Sequence, residues 1–375
     1  MSGSSDNSRG ANIPAARPVI DEADIEAAVR VLRSGMVVQG PEVKAFEEEF
    51  SEIVGGVHCV AVNSGTSALH MSFLALGIGP GDEVIVPSFS FAATANAVRL
   101  AGATPVFVDI QADTFNIDPD AVAAAIGPKT AAIMPVHLYG LPADMPAITA
   151  LADKHGLVLL EDAAQAHAAT VGGKPVGAWS SAASFSFYPT KNMHSLEGGM
   201  VTTPDAEVAR TLRLLRNQGM EQRYANEIVG ANVRLTDVAA AVGRRQLTQL
   251  RTWTAQRQAN AAALSAGITS VTTPVVPEGY THVYHPYTVR VPEVRDALQA
   301  ALTERGIGSA TYYPTPIHRL KPFLTEDGVV DPRWDLPETE RAAKEALSLP
   351  VFPTLSDDDI ARIIDGVNSA MAELA

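Results

Sequence analysis

Cysteine is nearly absent from this chain, since Cys59 is the only one among its 375 residues. One cysteine excludes an intrachain disulfide, and its place in the apolar run VHCVAV favours a small buried side chain over a nucleophile. A chain without disulfides suits a reducing compartment, so we expect a cytoplasmic protein.

Long apolar runs and an excess of positive charge are also missing. The sequence has no stretch of about 18 consecutive apolar residues, so it predicts no membrane-spanning segment. Residues 1–12 are polar, rich in serine and glycine, and lack the apolar core of a signal peptide, which predicts a flexible N-terminus. The formal net charge of −14 disfavours nucleic-acid binding, because an acidic surface repels phosphate backbones.

Short apolar runs alternate with helical patterns from about residue 57 to residue 203. The runs CVAVN, EVIVP, TPVFVDI, TAAIMPV and LVLLEDA are apolar throughout, which is typical of strands covered on both faces. Strand, helix and strand in succession form βαβ units. The pattern therefore predicts an α/β fold with a mostly parallel sheet between helix layers.

The second part of the chain has a different pattern. A long helical pattern covers residues 234–267, and a smaller unit with a strand near YHPYTVRV follows from about residue 269. A chain of this length holds more than one core. We therefore predict a flexible N-terminus (1–12), a large α/β domain with N-terminal helices (13–250) and a small α+β domain (251–375).

The first candidate site is NSGTSAL, residues 63–69, between a predicted strand and a predicted helix. Small residues at a helix N-terminus leave backbone N–H groups at the positive end of the helix dipole, which favours a bound phosphate. An N-cap in a tight turn explains the same stretch equally well. It is not a Walker loop, because no Gly-Lys-Ser/Thr follows.

The second candidate site is LLEDAAQAH, residues 159–167. Glu161 and Asp162 come at the carboxyl end of a predicted buried strand, the edge where ligands of open α/β sheets bind. A carboxylate there can pair with a cationic ring nitrogen, although a turn residue satisfied by its neighbours is the commoner case. His167 receives no role from this pattern.

The third candidate site is SFSFYPTKN, residues 184–192. Ser184 and Ser186 alternate with phenylalanines, so their hydroxyls share one face of the strand. Lys191 follows at the strand end, where apolar surroundings can lower the pKa of its amine and allow Schiff-base chemistry. A lysine considered alone is more often a solvated loop residue.

Together the three stretches supply what pyridoxal 5′-phosphate (PLP) requires: a phosphate cradle, a carboxylate for the ring nitrogen and a reactive lysine. The run PSFSF adds Phe89 and Phe91, one of which can stack on the pyridine ring. The combination predicts a PLP enzyme, and no metal site is predicted.

Nine motifs occur in the order seen in one family: NSGTSAL, GDEVIVPSFSFAATANAV, GATPVFVD, PVHLYG, EDAAQAH, SFSFYPTKN…EGGM, LRNQG, NVRLTDVAAAVGRRQL and YYPTPIH. From about residue 13 onward the chain resembles the DegT/DnrJ/EryC1/StrS family of PLP-dependent aminotransferases. The resemblance implies fold type I of PLP enzymes. It also implies amino transfer from L-glutamate to a keto sugar, expected to be a nucleotide-linked 3- or 4-keto-deoxyhexose.

The resemblance also implies roles for individual residues. Lys191 would bind the cofactor covalently and move protons, and Asp162 would pair with the ring nitrogen. The other cofactor contacts implied are Gly65, Thr66 and Ser186 at the phosphate, Phe91 on the ring, Gln165 at the phenolic oxygen and Asn232 from a neighbouring subunit. The last contact implies a homodimer with shared active sites. Tyr313 and His318 are implied near the substrate, although packing between the two domains explains them equally well.

The chain departs from the family pattern near the cofactor. Directly after the lysine the family commonly reads NLTTGEGG, whereas this chain has NMHSLEGG, with His194 and Leu196 as departures. Ala231 and Val233 replace bulkier residues beside Asn232. An aminotransferase for a cyclitol or another cyclic ketone in natural-product biosynthesis fits the same motifs. A PLP-binding regulator without catalysis is a further class.

Overall fold

The computed structural model describes residues 12–375, so all but the last residue of the predicted flexible N-terminus lies outside it. The helices of this part are α1 (Glu22–Ser34), α2 (Pro41–Ile53), α3 (Gly65–Ala75), α4 (Ala93–Leu100), α5 (Pro119–Ala125), α6 (Met145–His155), α7 (Ala206–Arg216), α8 (Asp237–Gly267), α9 (Arg295–Glu304), α10 (Pro337–Glu345) and α11 (Asp357–Leu374). None of these helices combines the length and the apolar character needed to cross a membrane.

The strands of the described residues form three sheets. They are β1 (His58–Val62), β2 (Glu83–Pro87), β3 (Thr104–Val108), β4 (Thr130–Ile133), β5 (Val158–Asp162), β6 (Thr170–Val171), β7 (Lys174–Pro175), β8 (Ala182–Ser186), β9 (Gly199–Thr203), β10 (Tyr280–Thr281), β11 (Tyr287–Arg290) and β12 (Ala346–Leu349).

The central sheet has seven strands in the order β1-β9-β8-β5-β4-β2-β3. Strands β3, β2, β4, β5 and β8 pair in parallel, whereas β9 runs antiparallel to both of its neighbours. Separate apolar cores cover the two faces of the sheet, under α2 and α8 on one side and under α3 and α7 on the other. The prediction of a mostly parallel sheet between helix layers is confirmed.

Alternation along β8 sends its phenylalanines and serines to opposite faces. The rings of Phe185 and Phe187 pack on Phe50 of α2, with centroids 5.1 and 5.4 Å away, and such pairs each contribute about 1 kcal/mol. On the other face the Ser184 hydroxyl lies 3.2 Å from that of Ser72 in α3. The aromatic face therefore anchors the strand that leads directly to the predicted reactive lysine.

A further core lies in the C-terminal part and includes α9, α11, β11 and β12. Ile13 packs in this core and pairs in parallel with Ile307, so the start of the described chain contacts the C-terminal unit. The predicted boundary at residue 250 falls inside α8, which continues unbroken for 31 residues. Residues of α8 belong both to a core under the central sheet and to the C-terminal core, so a domain boundary at residue 250 stays a prediction.

Candidate active site

A cavity of about 330 Å³ opens at the carboxyl edge of the central sheet. Asp162, the last residue of β5, and the N-terminus of α3 face it, as does the turn that follows β8. The predicted site residues that line this cavity are Gly65, Thr66, Phe91, Asp162, Gln165, Ser186, Lys191 and Tyr313. The structure thus brings together residues from five separate stretches of sequence.

Lys191 lies in the turn after β8, where its backbone N–H donates to Tyr188 O at 2.9 Å. Burial lowers the pKa of its amine to about 8, and the nearby charge of Asp162 limits this decrease. Within residues 12–375 the ε-amino group has neither an ion-pair nor a hydrogen-bond partner. A substantial fraction of this amine is therefore neutral near physiological pH, as a nucleophile or a base requires.

Asp162 is buried and is held by two donors. Thr94 Oγ1 donates to Oδ2 at 2.8 Å, and the backbone N–H of Ala164 donates to Oδ1 at 3.2 Å. Ser90 Oγ lies 2.9 Å from Thr94 Oγ1 and extends this chain of hydroxyls. Burial raises the pKa of Asp162, while the Thr94 hydrogen bond opposes this rise. A cationic N–H placed in the cavity would compensate this buried carboxylate.

Glu161 points to the opposite face of β5, as the two-residue period of a strand requires. Its carboxylate accepts hydrogen bonds from the Gly177 N–H at 2.9 Å, the Trp179 N–H at 3.1 Å and the Ser180 hydroxyl at 2.8 Å. His137 Nδ1 accepts from Ala143 N–H, so Nε2 carries the proton and donates to Glu161 at 3.0 Å. Glu161 therefore fixes the strand, and of the two adjacent carboxylates only Asp162 faces the cavity.

The predicted phosphate cradle is the start of α3. Ser64 is the N-cap, and its hydroxyl accepts from the Ser67 N–H at 3.1 Å, so the stretch also satisfies the N-cap interpretation. Gly65 and Thr66 lie in the first turn, where backbone N–H groups have no acceptor within the helix, and both residues line the cavity. A Cβ on Gly65 would lie 2.7 Å from Ser186 Cβ, so only glycine lets the helix end approach this serine closely.

Aromatic residues form the remaining cavity wall. Phe91 is 62% exposed and lines the cavity, whereas Phe89 is fully buried against Phe115 and Tyr139. Gln165 donates from Nε2 to the Tyr313 hydroxyl at 2.7 Å and accepts from the Tyr139 N–H at 2.7 Å. Of the two phenylalanines, only Phe91 presents a ring to a ligand.

Several residues of the site were missed by reasoning from the sequence. Tyr139 lines the cavity with a backbone φ of 58°, and burial raises the pKa of its hydroxyl well above the usual value. The motif PVHLYG contained it, but no pattern in the sequence distinguished this tyrosine from a core residue. Thr94 gave no signal either, because a threonine on a helical face is ordinary.

Two predicted site residues do not line the cavity. His318 is buried, with Nδ1 2.7 Å from Ser88 Oγ and Nε2 3.0 Å from Glu340, so it joins the C-terminal part to the end of β2. This arrangement matches the packing alternative for His318. Asn232 is exposed and pairs through its backbone with Asn217, away from the cavity of its own chain.

The residues present fit PLP. An unpaired amine, a buried carboxylate and free N–H groups at a helix start surround one cavity, and the glycine at position 65 lets the helix start approach Ser186 closely. A cluster of His, Cys, Asp or Glu suited to a metal ion is not found in the described part of the chain. The mostly parallel sheet and this site define a fold type I PLP-dependent enzyme.

A sequence profile of the DegT/DnrJ/EryC1/StrS aminotransferase family matches residues 18–368. The chain belongs to this family and is a PLP-dependent aminotransferase.

Curated relatives and solved structures agree with this assignment. A dTDP-3-amino-3,4,6-trideoxy-alpha-D-glucose transaminase of Streptomyces venezuelae is 47% identical, over 92% of this chain and 91% of its own. A UDP-N-acetyl-3-dehydro-alpha-D-glucosamine 3-aminotransferase of Acidithiobacillus ferrooxidans is 43% identical, over 89% and 90%. The crystal structure of S. venezuelae DesV superposes with a TM-score of 0.89 at 45% identity, covering 93% of this chain and 94% of that one. The PLP-form of a putative sugar aminotransferase from Streptococcus pneumoniae gives 0.91 at 28% identity, covering 97% and 100%.

Proposed function

We propose that this aminotransferase moves an amino group from L-glutamate to the ketone of a nucleotide-linked sugar. The observation that carries the proposal is the unpaired Lys191 amine beside the buried Asp162 carboxylate in one open cavity. The relatives support the sugar as acceptor, because the names of the S. venezuelae and A. ferrooxidans enzymes place the amino group at carbon 3 of a nucleotide-linked hexose. A 3-keto sugar is therefore the first acceptor to test.

The roles of the chain's own residues follow from their positions. Bound PLP supplies an electron sink for the amino acid carbon. Lys191 Nζ, whose lowered pKa leaves part of the amine neutral near physiological pH, would take the proton from the α-carbon of the donor and later return one to the new amine carbon. The buried Asp162 carboxylate would pair with the ring nitrogen and hold its proton. Gly65, Thr66 and Ser186, which line the cavity, would hold the phosphate, and Phe91 would cover one face of the ring.

Cavity size supports the placement of the acceptor. A volume of about 330 Å³ lies at the lower end of the range for ligand sites, so it suits the cofactor and one sugar ring. The nucleotide of the acceptor would then lie at the mouth of the cavity, near the exposed Phe91 and Tyr188. A cyclitol ketone would need no such outer surface, which separates the two acceptor classes.

We also propose that the active unit is a homodimer in which Asn232 reaches the phosphate of the partner's site. Support comes from exposed apolar residues in the loop before Asn232, where Val229 is 94% and Tyr224 is 81% exposed. Exposed apolar groups of this kind mark interaction surfaces. A cytoplasmic location stays part of the proposal and rests on the single buried cysteine.

The visible absorption spectrum of the purified protein tests the function. We expect a yellow PLP band that fades when L-glutamate is added and returns with a nucleotide-linked 3-keto sugar. Lys191→Ala should lack both the band and the response. A protein that PLP cannot colour would contradict the cofactor roles, and a return of the band only with a cyclitol ketone would replace the sugar as acceptor.

A further inference from the structure

A narrow second cavity adjoins the active site. It lies between the N-terminal segment, the Lys191 turn and the C-terminal core, and Arg257 of α8 lines it. The residues that line both cavities are Thr190, His285, Pro286 and Tyr312. Because Thr190 directly precedes Lys191, this annex lies beside the turn that carries the reactive amine.

The charge of Arg257 is buried and unpaired. The residue is 6% exposed, and its Nη1 donates only to backbone carbonyls, Tyr284 O at 3.1 Å and His285 O at 3.3 Å. Its Nε has no hydrogen-bond partner within residues 12–375. Burial lowers the pKa of Arg257 to about 10, and no neighbouring carboxylate raises it. A buried cation without a counter-ion is costly, since desolvation amounts to several kcal/mol per ion.

Other buried arginines of the described chain do have carboxylate partners. Arg216 pairs with Glu47, and Arg295 pairs with Asp296. Arg257 differs from these two in facing a cavity rather than a carboxylate. The contrast indicates that the missing negative charge comes from a ligand.

The size of the annex limits that ligand. Its internal volume of about 20 Å³ exceeds the 10–15 Å³ or so that one water needs, yet it is far too small for a sugar or a nucleotide. The annex suits a single small anionic group at the end of a longer molecule. A carboxylate has this size, and a guanidinium binds it through parallel N–H···O bonds.

We propose that Arg257 binds one carboxylate of the amino donor and thereby selects an acidic amino acid at this site. The inference rests on the proposed amino transfer from L-glutamate and adds the residue that recognises this donor. Arg17, which borders the annex with its guanidinium 5.3 Å from the Phe352 ring, adds positive charge at the entrance. His285 and Tyr312 form the wall towards the main cavity.

Binding of glutarate to the PLP-loaded enzyme, measured by titration calorimetry, tests the proposal without any turnover. Glutarate has two carboxylates but no amine, so it reports recognition rather than chemistry. We expect saturable binding that weakens about ten- to hundredfold in Arg257→Gln, since hydrogen bonds between charged groups are lost. Arg251→Gln removes the same charge from an exposed position of α8 and should bind glutarate as the wild type does.

A second variant and a comparison of two amino donors complete the test. If Arg257→Gln does not fold, Arg257→Lys keeps the charge but not the planar fork, and we expect weaker glutarate binding there too. Loss of the wild-type preference for L-glutamate over L-glutamine in Arg257→Gln would support selection of the acidic side chain, and an equal weakening of both donors would contradict that selection.

Unchanged glutarate affinity in a folded Arg257 variant, or no saturable binding by the wild type, would overturn the inference. Such a result would leave the proposed amino transfer intact, because the absorption change with L-glutamate is measured separately. Conversely, failure to find a keto acceptor would not affect the glutarate result.

Discussion

Lys191 combines a buried amine with a single nearby charge, and this sets the pH at which it reacts. The amine pKa of about 8 means that the neutral form increases as pH rises through that value. We expect PLP uptake by the apo-protein to accelerate between about pH 7 and 8.5 and then to level off. The rate at which the PLP absorbance band develops across a pH series measures this midpoint.

The charge of Asp162 provides the control for that pH series. Because Asp162 raises the pKa of Lys191, Asp162→Asn should move the midpoint to lower pH. A midpoint that stays near the value of free lysine in both proteins would contradict the assigned burial of the amine.

Asp162 is also expected to contribute directly to turnover. Asp162→Asn replaces a charge-assisted hydrogen bond to the ring nitrogen with a neutral one, which costs about 1.5–3 kcal/mol and slows the glutamate half-reaction ten- to hundredfold. Thr94→Val removes only the donor behind the carboxylate and should slow it less than about tenfold. Stopped-flow absorbance gives both rates. Equal effects of the two substitutions would show that the carboxylate acts through packing alone.

At the scale of single elements, β5 depends on the network around Glu161. The carboxylate is fully buried and accepts from four donors, among them the protonated Nε2 of His137. Glu161→Gln removes the charge and turns an acceptor into a donor, so we expect a loss of about 3 kcal/mol in unfolding free energy. Denaturant unfolding measures this loss. Glu207→Gln, near the exposed start of α7, should change stability by less than about 0.5 kcal/mol.

Helix α8 contains a glycine where alanine has the higher helix propensity. A Cβ on Gly243 would lie 2.9 Å from Phe46 Cζ and 3.1 Å from Ser195 Cβ, both buried. Gly243→Ala therefore gains about 1 kcal/mol of helix propensity but loses about 1–3 kcal/mol through overpacking. We expect a lower melting temperature. The reverse change at an exposed position, Ala255→Gly, should also destabilise, by about 1 kcal/mol, which shows that packing rather than propensity decides at residue 243.

The individual strands and site residues show how much of the structure could be predicted from the sequence. Apolar runs such as TAAIMPV and LVLLEDA identified β4 and β5, because strands covered on both faces carry no polar side. The antiparallel direction of β9 has no such local signal, since it depends on where the chain returns. Likewise, Asp162 and Lys191 were predicted from their place at strand ends. Tyr139 and Arg257 reach the cavities through tertiary packing, which no spacing in the sequence encodes.

At the scale of the whole molecule, the proposed site shared between two subunits predicts complementation between inactive variants. Lys191→Ala and Asn232→Asp should each be inactive, the second because its charge repels the phosphate. In a mixed dimer one site carries both changes and the other carries neither, so mixing should restore about a quarter of the wild-type activity. Lys191→Ala mixed with Asp162→Asn should give no more activity than the residual rate of Asp162→Asn, since both residues line the cavity of one chain. Absence of recovery despite subunit exchange would contradict the shared site.

The single cysteine has a practical consequence. Cys59 lies in β1, an edge strand of the central sheet, yet its side chain is only 4% exposed and burial raises the pKa of its thiol. Because the thiolate is the reactive form, a thiol reagent reaches this sulfur only when the packing over β1 opens. The rate of labelling thus measures how often the packing over β1 opens. This labelling rate depends neither on the PLP absorbance nor on turnover. It therefore distinguishes variants that destabilise the packing from variants that only lose activity.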